Sequence, residues 1–443
     1  MQFMNLDDFK NKTILLFGKP RAFNDEEFSA QMKTHNISVV EEFNPDVELL
    51  VEGRMMTPYE QNLADLLYEE SNTKSITIDI LEKALAETID ADVLLMSLKL
   101  SHDKDRLKTF LQNRMINDEL YFKLLKMYSW NNEDFFANDE NRDVSAALIL
   151  RFYKNIERNH NVQYATTGIL HLIVQTSSQD LLEAISMLEP LKYNPKVEAA
   201  IATHTKTPRE VLKYFIKNKS TYVKTLIAMR IDCDEELQTL LFCENDKEVL
   251  EALSYNENLN PEIVLKFIKH ETLSKNLARY LRLDDELFEK LSSHPYELAK
   301  NESLTLSMQN NLITLNNNQV NLSLAFNNYL KEDVVAQLIY EGSHDIKYAI
   351  YENKSTPVCI LKSAYDDIKN HSALAHNENT PVEILTKLYK SENADVLMGL
   401  AKNENTPIEI LYQLQLDSRF ASTVKKNAGF GKHIQTENIG WLL

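Results

Sequence analysis

Glycine is scarce in this sequence, with 8 among 443 residues, and proline contributes only 11. Few chain reversals at positive φ are therefore available, which argues against a many-stranded sandwich and for helices joined by short turns. Cysteine is rarer still. Cys233, Cys243 and Cys359 form neither a CxxC pair nor a zinc-like spacing, so all three are expected to be reduced and buried as small apolar residues. Basic charge is in deficit, with 48 Lys and Arg against 66 Asp and Glu and a formal net charge of −18. A non-specific grip on duplex nucleic acid needs a cationic face. The nearest approaches to one, Lys213 to Lys219 and Lys425-Lys426, are short and isolated and read as solvated surface. No apolar run approaches the ~20 residues that span a bilayer, and Met1 to Asp8 show no basic region followed by an apolar stretch. The expected compartment is the cytoplasm, with no membrane association.

Residues 12 to 85 carry strand signals that the rest of the chain lacks. Thr13 to Phe17, closed by Gly18, reads as a buried strand, followed by strands at Ser38 to Val40, Val47 to Val51 and Ile76 to Ile78. Helices are expected over 24–35, behind the Asn24 cap, from Thr57-Pro58 with Glu60 completing a capping box, and from Ile80-Leu81 to Leu85. In the second of these, Leu63, Leu66 and Leu67 are expected to face inward. The order β-α-β-β-α-β-α implies a small, mostly parallel sheet covered by helices. From about residue 90 the apolar spacing is helical: Leu94 to Leu100, Arg106 to Arg114, Glu119 to Tyr128, Val144 to Asn155, Gly168 to Gln175 and Gln179 to Leu188. The polar link Asn131 to Asp143 reads as a mobile loop.

The most specific signal is internal repetition. Asn377-Glu378-Asn379-Thr380-Pro381-Val382-Glu383-Ile384-Leu385 recurs 26 residues later from Asn403, and a degenerate copy from Asn353 lies 24 residues upstream. Thr207-Pro208 and Asn260-Pro261 open earlier copies, and Asp234, Asp285 and Glu332 fall where further ones are due. In this reading Thr380 is an N-cap, Pro381 occupies N1 and Glu383 closes a capping box at N3. A second short helix, Val396 to Ala401, returns the chain to the next copy. Helices this short are marginal alone and must stack on their neighbours.

The repeat resembles the leucine-rich repeat variant family, a relative of HEAT and armadillo repeats, and that resemblance implies a solenoid of paired helices. Thr13 to Gly18 and Val47 to Gly53 resemble the corresponding strands of BRCT domains. BRCT modules that read phosphopeptides use a Ser or Thr at the end of the first strand, the N–H of the next glycine, and a lysine early in the second helix. Here those positions hold Phe17, Gly18 and the lysine-free segment Thr57 to Gln61, with Lys19 and Arg54 the only nearby cations. The expected fold is mainly α: an α-solenoid of short paired helices with a small N-terminal α/β (BRCT-like) domain. Its expected parts are the BRCT-like domain at 1–88, a joining helical region at 89–193, the repeat solenoid at 194–427 and a C-terminal tail at 428–443.

Candidate chemistry is thin. Asp139 to Asp143 starts like a calcium loop, but Val144 and Leu150 stand where glycine and glutamate are needed. His371 and His376 do not share a helical face, and His171, within Ile169 to Ile173, reads as a satisfied core histidine. Gly429-Phe430-Gly431-Lys432 lacks the frame of a phosphate loop and reads as the end of the last repeat. No catalytic, metal or cofactor residue is nominated. The function expected is a non-catalytic protein-interaction scaffold with a protein partner. The alternative is a DNA-associated repair or replication accessory factor gripping DNA in the solenoid groove.

Overall fold

The computed structural model describes residues 6–70, 73–153 and 166–436. It is mainly α-helical with one small parallel sheet, and it divides into two compact units, residues 1–223 and 224–443.

The first unit opens with β1 (Thr13–Phe17), α1 (Asp25–Thr34), β2 (Ser38–Val40), β3 (Val47–Glu52), α2 (Pro58–Glu70), β4 (Lys74–Thr77) and α3 (Ile78–Glu87). All pairings are parallel, in the order β2-β1-β3-β4, with Ile14 opposite Leu49 and Leu15 opposite Leu50. The last strand ends one residue earlier than the sequence suggests, because Ile78 opens α3 and is buried there. Leu15, Phe17, Val47 and Leu50 pack with Ala64 of α2 and with half-buried Leu63 and Leu67. Leu66, expected inside, is 52% exposed on the far side of the same helix. Both expected caps form. Asn24 Oδ1 accepts from Glu27 N at 2.8 Å, and Thr57 Oγ1 accepts from Glu60 N at 3.2 Å while Thr57 N donates to Glu60 at 2.6 Å.

The helices that follow are α4 (Ala91–Ser101), α5 (Lys104–Gln112), α6 (Asp118–Met127), α7 (Asp139–Phe152), α8 (Thr166–Gln175), α9 (Gln179–Ser186), α10 (Pro195–Thr203) and α11 (Arg209–Asn218). Arg106 of α5 pairs with Glu27 of α1 at 3.1 Å, and Phe110 meets Phe23 edge-on, which joins the sheet layer to the helices. The link before α7 is tied down. Trp130 and Phe135 are buried, and the Asn141 side chain accepts from Tyr128 Oη at 2.8 Å and donates to the Asp134 carbonyl at 3.1 Å. Helix α7 thus begins at Asp139, five residues earlier than its apolar pattern implies; Asn155, its expected end, lies outside the described residues.

Helix α12 (Thr221–Ala228) leads into the second unit, which is a solenoid-like run of helix pairs: α13 (Glu235–Cys243) with α14 (Lys247–Leu253), α15 (Pro261–Phe267) with α16 (Glu271–Tyr280), α17 (Asp285–Lys290) with α18 (Pro295–Leu298), α19 (Leu306–Thr314) with α20 (Asn318–Ala325), α21 (Glu332–Glu341) with α22 (His344–Glu352), α23 (Val358–Ala364) with α24 (His371–His376), α25 (Val382–Leu388) with α26 (Ala394–Lys402), and α27 (Ile408–Gln415) with α28 (Ala421–Val424). A final helix, α29 (Ala428–Thr436), follows. No strand occurs among the described residues from 194 to 427, and Pro208, Pro261, Pro357, Pro381 and Pro407 all stand at helix starts. The second helices of successive pairs pack on one another from α16 to α28. Small residues permit the approach: a Cβ on Gly399 of α26 would lie 2.7 Å from Ala375 Cβ of α24.

The cap chemistry differs from the sequence reading. In α11, α23, α25 and α27 the N-cap is the proline itself, with ψ near 140°, which places Glu383 at N2 and leaves no capping box. The threonine hydroxyl turns backward instead. Thr380 Oγ1 donates to the Leu374 carbonyl at 2.6 Å and Thr406 Oγ1 to Leu400 at 2.7 Å, in the preceding second helix.

Candidate functional site

The repeat asparagines form a continuous ladder. Each is buried, and each Nδ2 donates to two carbonyls of the preceding copy. Asn327 reaches Ala299 and Asn301 at 3.0 and 2.7 Å, Asn353 reaches Ala325 and Asn327 at 2.7 and 2.8 Å, and Asn377 reaches Tyr351 and Asn353 at 2.8 and 2.7 Å. Asn403 and Asn427 continue the pattern at 2.8–3.0 Å. From Asn301 to Asn403 each Oδ1 accepts the N–H two residues on. One carbonyl of each pair lies at the end of a second helix, where intrahelical partners run out, and the other belongs to the asparagine of the preceding rung. A helix end usually satisfies such a carbonyl with a glycine in the left-handed region. Here the next copy's asparagine does so, and the C-caps Asn353, Asn377 and Asn403 keep extended backbone. The glycine shortage has its structural counterpart in this device.

On the solvent side of the ladder, the ends of α14, α16, α18 and α20 border a continuous groove. Its two lobes, of about 600 and 480 Å³, share Arg279, Lys300, Glu302 and Tyr329. The walls are aromatic: Tyr255, Tyr280, Tyr296, Phe326 and Tyr329 are between 37% and 59% exposed. Tyr255 and Tyr280 meet edge-on at 5.2 Å, Arg279 lies over the Tyr280 ring at 5.2 Å, and Lys300 over that of Tyr296 at 3.6 Å. The Lys300 ammonium and the Ser323 hydroxyl hold the Tyr296 phenol below its ordinary range, whereas burial and the Glu251 carboxylate raise that of Tyr255. Arg279 and Arg282 are exposed and have no ion-pair partner among the described residues. The floor includes Asn256, Asn301 and Asn327, whose amides are committed inward. The groove is thus a surface of rings and cations rather than of free amides. No family model, curated protein or solved structure matches this chain. The geometry carries the functional argument alone.

The other residues raised by the sequence fall apart. Cys233 is buried, with its thiol pushed up to about 12 by burial, but Cys243 and Cys359 are exposed at the end of α13 and in the first turn of α23. His171 is exposed, its ring against Tyr153 at 5.9 Å; on α8 its neighbours Ile169, Leu172 and Ile173 take the inward face. His371 stacks on Tyr365 and bonds the Tyr365 carbonyl at 2.9 Å, whereas His376 bonds the Ser372 carbonyl at 2.9 Å. Among the described residues no three His, Cys, Asp or Glu side chains converge as metal ligands, and no helix is long and apolar enough to cross a membrane. Asp139 to Asp143 forms the first turn of α7, and Gly429 to Lys432 lies within α29, with Phe430 buried.

In the first unit, Gly18 takes φ +69° and a Cβ there would strike the Arg54 carbonyl at 2.4 Å, so only glycine fits. Its N–H donates to Glu60 Oε1 at 3.0 Å, and with the Thr57 donors it holds that carboxyl below its usual range. Lys19 and Arg54 pair through backbone bonds and expose their side chains. A second carboxylate, Glu82, is fully buried. Its Oε1 accepts from the N–H groups of Arg21, Ala22 and Phe23 at 2.8, 2.8 and 3.2 Å.

Proposed function

We propose that this chain is a non-catalytic protein-interaction scaffold of the cytoplasm, whose second unit is a leucine-rich repeat variant solenoid and whose N-terminal module is BRCT-like. The observation that carries the reading is the groove along α14 to α20, where aromatic side chains stay exposed on a row of helix ends built to be rigid. Exposed aromatic clusters with interspersed arginine are the composition of protein-binding hot spots. The buried amides of Asn256, Asn301 and Asn327 below it brace the wall, so a partner binds with less entropic cost of ordering it.

The N-terminal module reads as a docking or capping element rather than a phosphate reader. The Gly18 N–H that a phosphate would need is taken by Glu60, and a dianion placed there would face a carboxylate with no lysine in the first turn of α2 to offset it. The cations of the groove are the one observation that favours the DNA-associated reading; Glu257 and Glu302 among them weigh against it.

The test replaces Phe326 by a photo-crosslinking phenylalanine analogue in the full chain, followed by irradiation in native lysate. A discrete protein adduct, resistant to nuclease, is the expected result. Nuclease-sensitive adducts, or none from position 326 while surface positions outside the groove capture protein, would refute the scaffold reading.

A further inference from the structure

Resting on the scaffold reading, we infer that the groove along α14 to α20 receives one extended segment of a partner protein that alternates acidic with apolar residues. The chemistry of the walls specifies the occupant. Arg279 and Arg282 form no ion pair among the described residues, in a protein whose formal charge is −18. Lys300 has only a long pairing of 3.8 Å to Glu297. Arg279 and Lys300, held over tyrosine faces, together with the exposed Arg282, favour carboxylates that arrive with apolar neighbours.

The distribution of charge decides between a peptide and a nucleic acid strand. Glu257 lies beside Arg282, whose N–H bonds the Glu257 carbonyl at 3.0 Å, and Glu302 lies beside Lys300. A strand with a phosphate at every step would meet these carboxylates as well as the cations. A peptide with spaced acidic residues places charge only opposite Arg279, Arg282 and Lys300, and lays apolar side chains on Tyr255, Tyr280, Phe326 and Tyr329. The length follows from the stacking. The groove crosses three helix-to-helix steps, from the copy of Tyr255 to that of Tyr329, or about 30 Å at 8–10 Å per step. An extended chain covers that span in about nine residues.

The test is fluorescence anisotropy of the full chain against three labelled probes: twelve-residue peptides alternating Glu or Asp with Leu or Phe, the same peptides with Gln for each acid, and a twelve-nucleotide oligothymidylate. The acidic peptides should bind at least tenfold tighter than their Gln counterparts and tighter than the oligonucleotide, with affinity falling as salt rises. The double variant Arg279→Glu, Arg282→Glu removes no buried contact; it should lose that tenfold preference and gain binding to peptides with Lys in place of Glu. Equal binding of acidic and Gln peptides, an unchanged double variant, or tighter binding of the oligonucleotide would each overturn the inference. Failure here with a groove-specific protein adduct at position 326 refutes only the acidic-segment inference, whereas loss of both results removes the scaffold reading too.

Discussion

Replacing Asn377 by alanine removes three hydrogen bonds at once: two donated to the carbonyls of Tyr351 and Asn353, and one accepted from Asn379 N. The side chain is 1% exposed, so the partners it leaves are sealed from bulk water. A buried polar group stripped of its partner costs roughly 1–3 kcal/mol, and water entering the vacated space recovers part of that. The expected loss is about 2–4 kcal/mol. Asn377→Asp is the sharper probe. It keeps the volume but turns two donations into a carboxylate oxygen facing two carbonyl oxygens, and buries a charge. At neutral pH it should destabilise more than alanine, and the gap should close in acid as the carboxyl regains a proton to donate. Because stacked repeats lose structure piecewise, the assay is hydrogen exchange read by mass spectrometry over peptides from 345 to 410, alongside urea unfolding. Protection should fall first in α22 to α26. An aspartate variant as stable as wild type, or less destabilised than the alanine variant at pH 7, would refute the ladder as a stabilising element.

Thr380→Ala should cost about 1–2 kcal/mol through the lost bond to Leu374, Thr380→Ser should retain most of it, and Thr380→Asn, a strong N-cap, should not rescue it. Rescue by asparagine in urea unfolding would restore the capping reading. Gly399→Ala should destabilise by about 1–3 kcal/mol from overpacking on Ala375 and His376, against the roughly 1 kcal/mol that alanine gains in helix propensity; a raised melting midpoint would contradict it. Burial lifts the Glu82 carboxyl above its ordinary range, in spite of three N–H donors. Its contribution is therefore complete below the unfolded pKa of about 4.3 and is lost as pH rises through the higher folded value. Glu82→Gln keeps the acceptor without the charge, so the stability of the variant relative to wild type should rise from pH 4 to pH 7; a constant difference would exclude the linkage.

Much of the fold was legible because apolar spacing is a local signal. Strands at 13–17 and 47–51 and most helix positions follow from it, and Thr-Pro at regular intervals located the helix starts. What escaped depends on partners distant in sequence. The repeat asparagines stand out as a pattern, but their acceptors lie 24–28 residues upstream, so nothing local says that they close the neighbouring helix. Thr-Pro fits either a threonine cap or a proline cap, and the Leu374 carbonyl, placed by the fold, recruits the hydroxyl. His171 sits in an apolar run, yet the turn of a helix sends it outward from Ile169 and Ile173. The groove left no trace as a basic run because its cations are few and divided between copies, Arg279 and Arg282 in one and Lys300 in the next, and they converge only when the copies stack.

The ladder also bears on how such a chain changes length over generations. Every bond that a rung's amide donates joins its copy to the one before it, and none reaches further. Duplicating residues 378–403 would insert a segment whose terminal asparagine finds the Ala401 and Asn403 carbonyls waiting, the same pair that Asn427 uses now. Deleting one segment between equivalent asparagines would likewise leave no acceptor stranded. Copy number is therefore free to drift while the sequence within each copy is held. A partner's footprint could lengthen by a helix step at a time, without any residue having to be reinvented.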